Sequence, residues 1–397
     1  MTAFHQIKLG DALTLQRGFD ITKAEQFDGD VPIVSSSGIS SYHNKWKVKK
    51  PGLIIGRKGT LGTVHFIRSN CWPHDTTLWV KDFKGNDPLF LSFFLQTLKL
   101  ENFDVGSANP TLNRNHVHKI KVVFPKTVDT QKKIAAVLSA YDELIENNRR
   151  RIALLDKLAE EIYREWFVRL RFPGHEKVRV IKGVPQGWKL VKLDNAFKFI
   201  GGGTPSKEVG RYWNGGDINW FTPSDITGAD GMFLEKSGDQ CTEEGFNNSS
   251  AKIFPPYSVM LTSRATIGAI GINLTPACTN QGFITCIPNE RYPLPYLYYW
   301  VKLAKPHFEL LAVGATFAEL TKGTFKRIEI LTPPEPIVSE FTRIEAPLLK
   351  AIENLLRANH KLIETRDKLL PRLISGKLSV EDLDIQFPPS MDSQVSI

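Results

Sequence analysis

Leu53–Ile67 reads LIIGRKGTLGTVHFI, and Val259–Asn273 reads VMLTSRATIGAIGIN. Each has an apolar run, a basic residue, a threonine, an aliphatic residue and a glycine, and then turns apolar again. The echo extends in both directions. IKLGDALTLQRG answers VKLDNAFKFIGG, with Lys8 matching Lys192, an offset of 184. DGDVPIVSSSGI answers GGDINWFTPSDI, with Asp30 matching Asp217 at 187. Thr60 matches Thr266 at 206, and Gly106 matches Gly314 at 208, where GSANPTLNRNHVHKIKVVFP answers GATFAELTKGTFKRIEILTP. Order is kept and the offset only grows, as in a duplicated unit whose second copy has gained loop insertions.

Each copy opens with short apolar runs, GLIIG, TLWV, IKVVF and IEILT, separated by Gly and Pro punctuation that reads as strands and turns. A more helical piece follows, PLFLSFFLQTLKL in the first copy and PLPYLYYWVKLAK in the second. Each copy is therefore expected to begin as a mixed α/β domain.

Each copy then ends in a long amphipathic segment. From Thr130 to Phe167, Ile134, Tyr141, Leu155 and Ile162 keep a seven-residue step. Val137, Leu144 and Leu158 form a second series, and Leu138, Ile145 and Ile152 widen the stripe. At an offset of 211 the second copy places Leu348, Leu349, Leu355, Asn359, Ile363 and Leu369 on Val137, Leu138, Leu144, Asn148, Ile152 and Leu158. Pro347 suits a helix first turn, and Pro371 is expected to kink or end the helix. The helix–helix seam is expected to use Ile134, Tyr141, Leu144, Asn148, Leu155, Leu348, Leu355, Asn359, Leu362 and Leu369.

The boundaries read as a first domain at 1–126, a long helix at 127–170, a linker at 171–187, a second domain at 188–334, a second long helix at 335–378 and a flexible tail at 379–397. The fold class is α+β. Two duplicated domains are expected, joined by two long helices with a coiled-coil heptad pattern. Asn148 and Asn359 share one heptad place, so antiparallel pairing predicts that their amides meet at the centre of the spacer. A buried Asn costs stability unless partnered and, when partnered, fixes register.

Among 397 residues, 42% are hydrophobic and 23% charged, which are globular proportions. Lys and Arg number 51 against 42 Asp and Glu, a formal charge of +9. That balance leans toward a polyanionic partner and equally fits a merely basic soluble protein. Cys71, Cys241, Cys278 and Cys286 form no C-x-x-C pair, MTAFHQIKLGDAL has no apolar signal region, and no run is long enough to span a bilayer. A reducing, cytoplasmic setting without membrane contact is expected.

Catalytic motifs are missing. There is no G-x-x-x-x-G-K-[ST] loop, and neither Gly201–Gly203 nor GRKGTLG has dinucleotide-binding spacing. NPTL at Asn109 lacks the second proline and the aromatic of the amino-methyltransferase signature, and reads as a loop. His116 and His118 have no companion ligands for zinc. No G-x-S-x-G elbow is visible. Basic side chains gather in loops instead, beside Tyr212, Trp213 and Trp220. Such loops can read base edges and phosphates, or can simply be solvated.

Taken together, YWNGGDINWFTPSDI, VMLTSRATIGAIG, GVPQGWKLVKLDNAF and TRDKLLPRLISGKL resemble the specificity subunit of type I restriction–modification systems. The first copy carries a looser version in FDGDVPIVSSSGI, LIIGRKGTLGTV and LSAYDELIENNRRRIALLDKLAEEIYREWF. The resemblance runs from about Lys8 to Leu378. It implies two target recognition domains, each reading half of an asymmetric bipartite site on double-stranded DNA. It also implies that the two long helices pair antiparallel as a coiled-coil spacer with pseudo-two-fold symmetry, forming an assembly scaffold for two modification subunits and for restriction–motor subunits. S-adenosylmethionine, ATP and Mg would belong to those partners, with no cofactor, metal or catalytic residue on this chain.

On the loops, the expected DNA-contacting residues are Arg57, Lys58, Thr60 and Arg114 in the first copy. In the second they are Thr204, Ser206, Lys207, Arg211, Tyr212, Ser224, Asp225, Ser263, Arg264, Thr266 and Lys322. Two other classes stay open. A self-contained methyltransferase or nuclease would bind S-adenosylmethionine by itself. A protein-only coiled-coil scaffold would be indifferent to DNA sequence.

Overall fold

The computed structural model describes residues 4–102, 111–314, 318–388 and 391. The loop reading at Asn109 and the echo at Gly106 lie outside the described residues. Two compact units divide the chain: one runs to Glu146 and resumes at His360, and the other is Asn147–Asn359. Both divisions fall inside the long helices rather than at their starts.

The first unit contains β1 (Phe4–Lys8), α1 (Leu9–Ala12), β2 (Thr14–Arg17), β3 (Val31–Ser35), β4 (Gly38–His43) and β5 (Gly52–Gly56). It continues through β6 (Val64–Ile67), β7 (Trp72–Pro73), β8 (Thr77–Asp82), α2 (Pro88–Gln96), α3 (Arg114–Val117) and β9 (Lys121–Pro125) into α4 (Val128–Tyr163). One sheet runs β2-β8-β5-β6 and another β4-β3-β7, while β1 pairs with β9. All of GLIIG in β5 is buried, because that strand lies between β8 and β6 with both faces covered. The Asp87 side chain accepts from Phe90 N at 2.7 Å, capping α2 just before Pro88. That cap aims Phe90 and Phe94 at Phe124, with ring centroids at 5.5 and 5.1 Å. Each fully buried ring contributes about 1.5–3 kcal/mol.

The second unit begins with a small hairpin, β10 (Val180–Ile181) and β11 (Val184–Pro185). Next come β12 (Lys189–Lys192), α5 (Leu193–Ala196), β13 (Phe199–Gly201), β14 (Ile218–Phe221), α6 (Pro223–Thr227), β15 (Phe233–Leu234) and β16 (Asp239–Cys241). Then follow α7 (Glu243–Asn247), β17 (Val259–Thr262), β18 (Ile270–Asn273), β19 (Ala277–Thr279), β20 (Phe283–Cys286), α8 (Leu294–Leu303), α9 (Lys305–Leu311), α10 (Lys322–Arg327), β21 (Glu329–Thr332) and α11 (Glu335–Ile374). Its sheets run β13-β20-β17-β18-β15 and β16-β14-β19, and β12 pairs with β21. Apart from the added β15, this is the connectivity of the first unit, including the parallel pair β14–β19 that answers β3–β7. The linker is not loose throughout: Phe172 is buried and packs on Trp188 at 5.1 Å.

Both long helices are continuous. In the first unit, Ile134 and Leu138 share a core cluster with Leu373 and Ile374, and Arg366 bonds Asp142 at 2.5 Å. In the second, Tyr163 meets Phe341 at 5.8 Å, and Asn148 donates its amide to Asn359 at 2.9 Å. Both asparagines are buried, so this bond replaces lost hydration. Tyr141, Leu155, Leu348, Leu355, Leu362 and Leu369 are half-buried.

Four expectations need correction. Leu144 is 51% exposed, because Leu138, Ile145 and Ile152 form the buried stripe and the series through Leu144 turns outward. Pro347 lies inside α11, which starts at Glu335 behind Pro334 with Pro336 in its first turn. Pro371 does not stop the helix at once; α11 runs to Ile374 and ends at Gly376 (φ +72°), where a Cβ would meet the Phe4 ring at 2.7 Å. The tail is held where it begins: Val380 is buried in the first core, and Lys133 donates to the Glu381 carbonyl at 2.7 Å.

Candidate nucleic-acid interface

The turn quoted first is built alike in both units. Gly59 and Ala265 occupy the left-handed region at φ +75° and +58°, and Gly62 and Gly268 follow at +73° and +85°. Leu112 N donates to Arg57 O at 3.0 Å, and Leu320 N donates to Ser263 O at 2.9 Å. The isolated bridges Lys58–Thr111 and Arg264–Glu319 also correspond. A threonine hydroxyl braces each turn, Thr63 onto the Thr60 carbonyl at 3.2 Å and Thr262 onto the Thr266 carbonyl. The shared backbone holds two exposed pairs of side chains at matching places: Lys58 and Thr60, and Arg264 and Thr266.

The remaining pair at this turn differs. Arg57 is half-buried and donates to the Asp75 carbonyl at 3.3 Å. Burial and then the neighbouring Arg17 charge lower its affinity for a proton. Ser263, expected at DNA, is buried at 2% exposure. Both its backbone groups are used within the fold, its amide donating to Gly282 O at 2.7 Å.

Around the first turn, Ser36 donates to the carbonyls of Lys58 and Thr76, tying two loops together. Arg17 bonds Asp75 at 2.8 Å. Burial pushes the Asp75 carboxyl up, but the Arg17 hydrogen bond and the His74, Arg17 and Lys58 charges outweigh it and leave it low. Asp20, His74 and Asp75 bring possible metal-ligand atoms within 4.8 Å, the one such trio found among the described residues. Arg17 already pairs with Asp75, one of the two carboxylates of that cluster. Arg114 is exposed on α3, in the segment following the Lys58–Thr111 bridge.

In the second unit, Lys207 lies 3.7 Å from the Trp213 ring centroid and 4.6 Å from that of Trp220, and bonds Asp239 at 2.6 Å. The Trp213 indole donates to Ser206 O at 2.9 Å, which fixes the loop carrying both residues. Ser206 itself is exposed. Thr204 donates to Gln281 at 2.7 Å. Arg211 pairs with Glu244 at 2.8 Å beside the half-buried Tyr212, and Arg264 pairs with Glu319 at 2.9 Å. Ser224 is exposed on α6, and Lys322 is exposed on α10 with its amine end against Gly201. Asp225 departs from expectation. One carboxylate oxygen takes Thr222 N and Oγ1 at 2.6 and 2.7 Å, and the other takes Gly238 N at 2.8 Å. It caps α6, with both oxygens already engaged within the fold.

Sequence reasoning singled out the cations but missed their carboxylates, Asp239, Glu244 and Glu319. Nothing in local spacing marks those acids, since each reaches its partner from a separate element. The capping role of Asp225, by contrast, was available in the string TPSD, a Thr followed three residues later by an acid.

The model for the type I restriction modification DNA specificity domain matches this chain twice, at residues 2–157 and 185–364. The chain belongs to that family. The specificity subunit of the type I restriction enzyme MjaIX of Methanocaldococcus jannaschii is 33% identical over 213 residues, covering 53% of this chain and 48% of that protein. The specificity subunit of HindI from Haemophilus influenzae is 30% identical over 199 residues, covering 49% and 42%. The chain thus spans about half the length of these curated relatives. A crystal structure of the type I restriction–modification S subunit from M. genitalium shares the fold, with a TM-score of 0.62 at 17% identity over 94% of this chain and 96% of that one. Both family matches run into a long helix, so domain and helix repeat together. Among the described residues no helix is long and apolar enough to cross a membrane.

Proposed function

We propose that this chain is the non-catalytic DNA-reading subunit of a type I restriction–modification complex. Each copy of the domain reads one half of an asymmetric bipartite site on double-stranded DNA. The long helices pair antiparallel as a coiled-coil spacer, and the duplicated frame, with its pseudo-two-fold symmetry, receives two modification subunits and the restriction–motor subunits. S-adenosylmethionine, ATP and Mg act on those partners, in the cytoplasm. Support for the antiparallel order comes from contacts that run oppositely along the two helices, Ile134 near Ile374 and Tyr163 near Phe341.

The observation that carries the reading is the repeated turn. One backbone, with matching bonds to Leu112 and Leu320, presents Lys58 in one copy and Arg264 in the other. A conserved frame with variable exposed cations suits a reader whose halves recognise different sequences. Replacing residues 1–126 by the same domain of a relative should change only one half of the methylated site, read by long-read detection of modified adenines. A change in both halves, or in neither, refutes the assignment. Arg264→Ala should weaken DNA binding by about 1–3 kcal/mol in the full chain.

A further inference from the structure

Three cations of the second unit that are expected at DNA are already occupied. Arg264 holds Glu319 at 2.9 Å, Arg211 holds Glu244 at 2.8 Å, and Lys207 holds Asp239 at 2.6 Å. All three pairs face solvent, and their carboxylates come from three separate places: the segment bridged to Arg264, the first turn of α7 and the start of β16. We propose that Glu319, Glu244 and Asp239 are built-in competitors of phosphate that suppress sequence-independent DNA binding by this unit. The proposal rests on the DNA-reading function above.

Sequence-independent binding is almost wholly the neutralisation of backbone phosphates by Lys and Arg. A cation that already holds a carboxylate gains only the difference between two anions. Exposed pairs of this kind are weak, so they open readily when a cognate site adds base contacts. On random sequence the opening cost comes straight off the phosphate contacts, which are all that hold the chain there, so the carboxylates keep sequence-independent binding weak.

The first copy provides a natural contrast. Lys58 stands at the place of Arg264, and the residue bridged to it is Thr111 where the second copy has Glu319. The backbone is the same, and only the second copy carries an acid there. The competing charge is thus an addition to the turn rather than a requirement of it.

The test uses the full chain and a random-sequence duplex, followed by fluorescence anisotropy over a range of salt. The site variant is Glu319→Gln/Glu244→Gln/Asp239→Asn. The control is Glu161→Gln/Glu165→Gln/Glu340→Gln, which makes the same change in net charge using acids that pair with Arg169 and Arg343 on or just beyond the long helices. Freeing three cations should tighten random-duplex binding about 5- to 30-fold and steepen the salt slope by up to about 0.9 per cation, while the control changes binding less than about 3-fold. Equal behaviour of the two variants overturns the proposal, because net charge alone would then explain the gain. Random-duplex binding that the site variant leaves unchanged also overturns it, while leaving the DNA-reading function intact. No DNA binding by any chain, cognate or random, removes both. Should the triple variant fold poorly, Glu319→Thr, which installs the first copy's residue, should tighten random-duplex binding about 2- to 4-fold; no change overturns the proposal.

Discussion

Val31–Gly38 and Ile218–Asp225 begin as the same strand and end differently. VPIVSSSG turns at Gly38 (φ +112°) straight into the antiparallel strand β4. INWFTPSD instead starts α6, because Thr222 and Asp225 close a capping box around Pro223. Both strands still pair in parallel with the next sheet member, Ile33 with Trp72 and Trp220 with Cys278. The family of contacts that makes the sheet tolerates either exit. Only Ser36 and Ser37 separate β3 from β4, whereas residues 222–238, with α6 and β15, separate β14 from β16, which still pairs antiparallel with it; a tight hairpin has become a helix-bearing connection without a change in sheet order. A duplicated frame can diverge in what it presents while conserving how it folds.

The glycines of that turn offer the strongest way to break the equivalence. A Cβ at Gly62 would lie 2.6 Å from the Glu101 backbone nitrogen. At Gly268 it would meet the Lys305 side chain at 2.5 Å. Both positions carry positive φ, so both substitutions are strained, but only a side chain can swing away. Gly62→Ala should cost about 3 kcal/mol and Gly268→Ala about 1–2 kcal/mol, measured by denaturant unfolding with hydrogen exchange to assign each loss to its unit. Equal costs would mean that the two turns are less alike in flexibility than their dihedral angles indicate.

The units should also respond oppositely to pH. In the second, Glu345 is fully buried, neither carboxylate oxygen has a hydrogen-bond partner among the described residues, and burial pushes its carboxyl up to about 8. The folded state thus holds a proton that the unfolded chain has released, and stability falls as pH rises from about 4.5 toward 8. In the first, His118 accepts a bond from Leu15 N at 2.9 Å; burial and then the Arg114 and Lys84 charges lower its pKa. Here the unfolded chain binds protons more readily, so stability is present above the ordinary value of 6.5 and is lost as pH falls below it. Hydrogen exchange at pH 5.5 and 8.5 should show first-unit amides loosening at the acid end and second-unit amides at the alkaline end. Glu345→Gln should recover on the order of 1–3 kcal/mol at pH 8.5 and little near pH 5. A second unit indifferent to alkali would place a partner on that carboxyl.

The duplication was legible because the residues that fix a turn are few and tolerate little change: Gly62 and Gly268 cannot gain a Cβ without a clash. The helices were legible through their seven-residue steps. Which apolar series faces inward was not, because Leu138 and Leu144 both satisfy the period and only the partner's position sends Leu144 outward. Prolines do not mark helix starts uniquely: α11 starts at Glu335 with Pro336 in its first turn, and Pro347, which suits a first turn equally well by its residue type, lies inside the helix. At the candidate interface, the cations of the loops could be found from composition. Their availability could not, since burial of Ser263 and the ion pairs of Lys207, Arg211 and Arg264 are set by contacts between distant segments.

The smallest expected effect isolates one dihedral angle. Ala265 adopts φ +58° where the first copy has Gly59 at +75°. An L-residue in that region is disfavoured by roughly 1–2 kcal/mol, because its Cβ crowds the following carbonyl. A glycine removes that strain but gives the unfolded chain more freedom, which offsets roughly 0.4–1 kcal/mol of the gain. Ala265→Gly should therefore stabilise the second unit by less than about 1 kcal/mol, and Gly59→Ala should destabilise the first by a similar amount. The two substitutions exchange the copies' residues, so their effects should be opposite in sign and nearly equal. Thermal unfolding with unit-resolved hydrogen exchange can read both. Arg264 lies next to Ala265, and its bond to Glu319 depends on the turn keeping its shape. If Ala265→Gly leaves stability unchanged but alters the salt dependence of DNA binding, the alanine serves to stiffen the segment that presents Arg264 rather than to fold it. If it lowers stability, the left-handed angle is held by contacts that reward the methyl group, and the two turns are equivalent in backbone only.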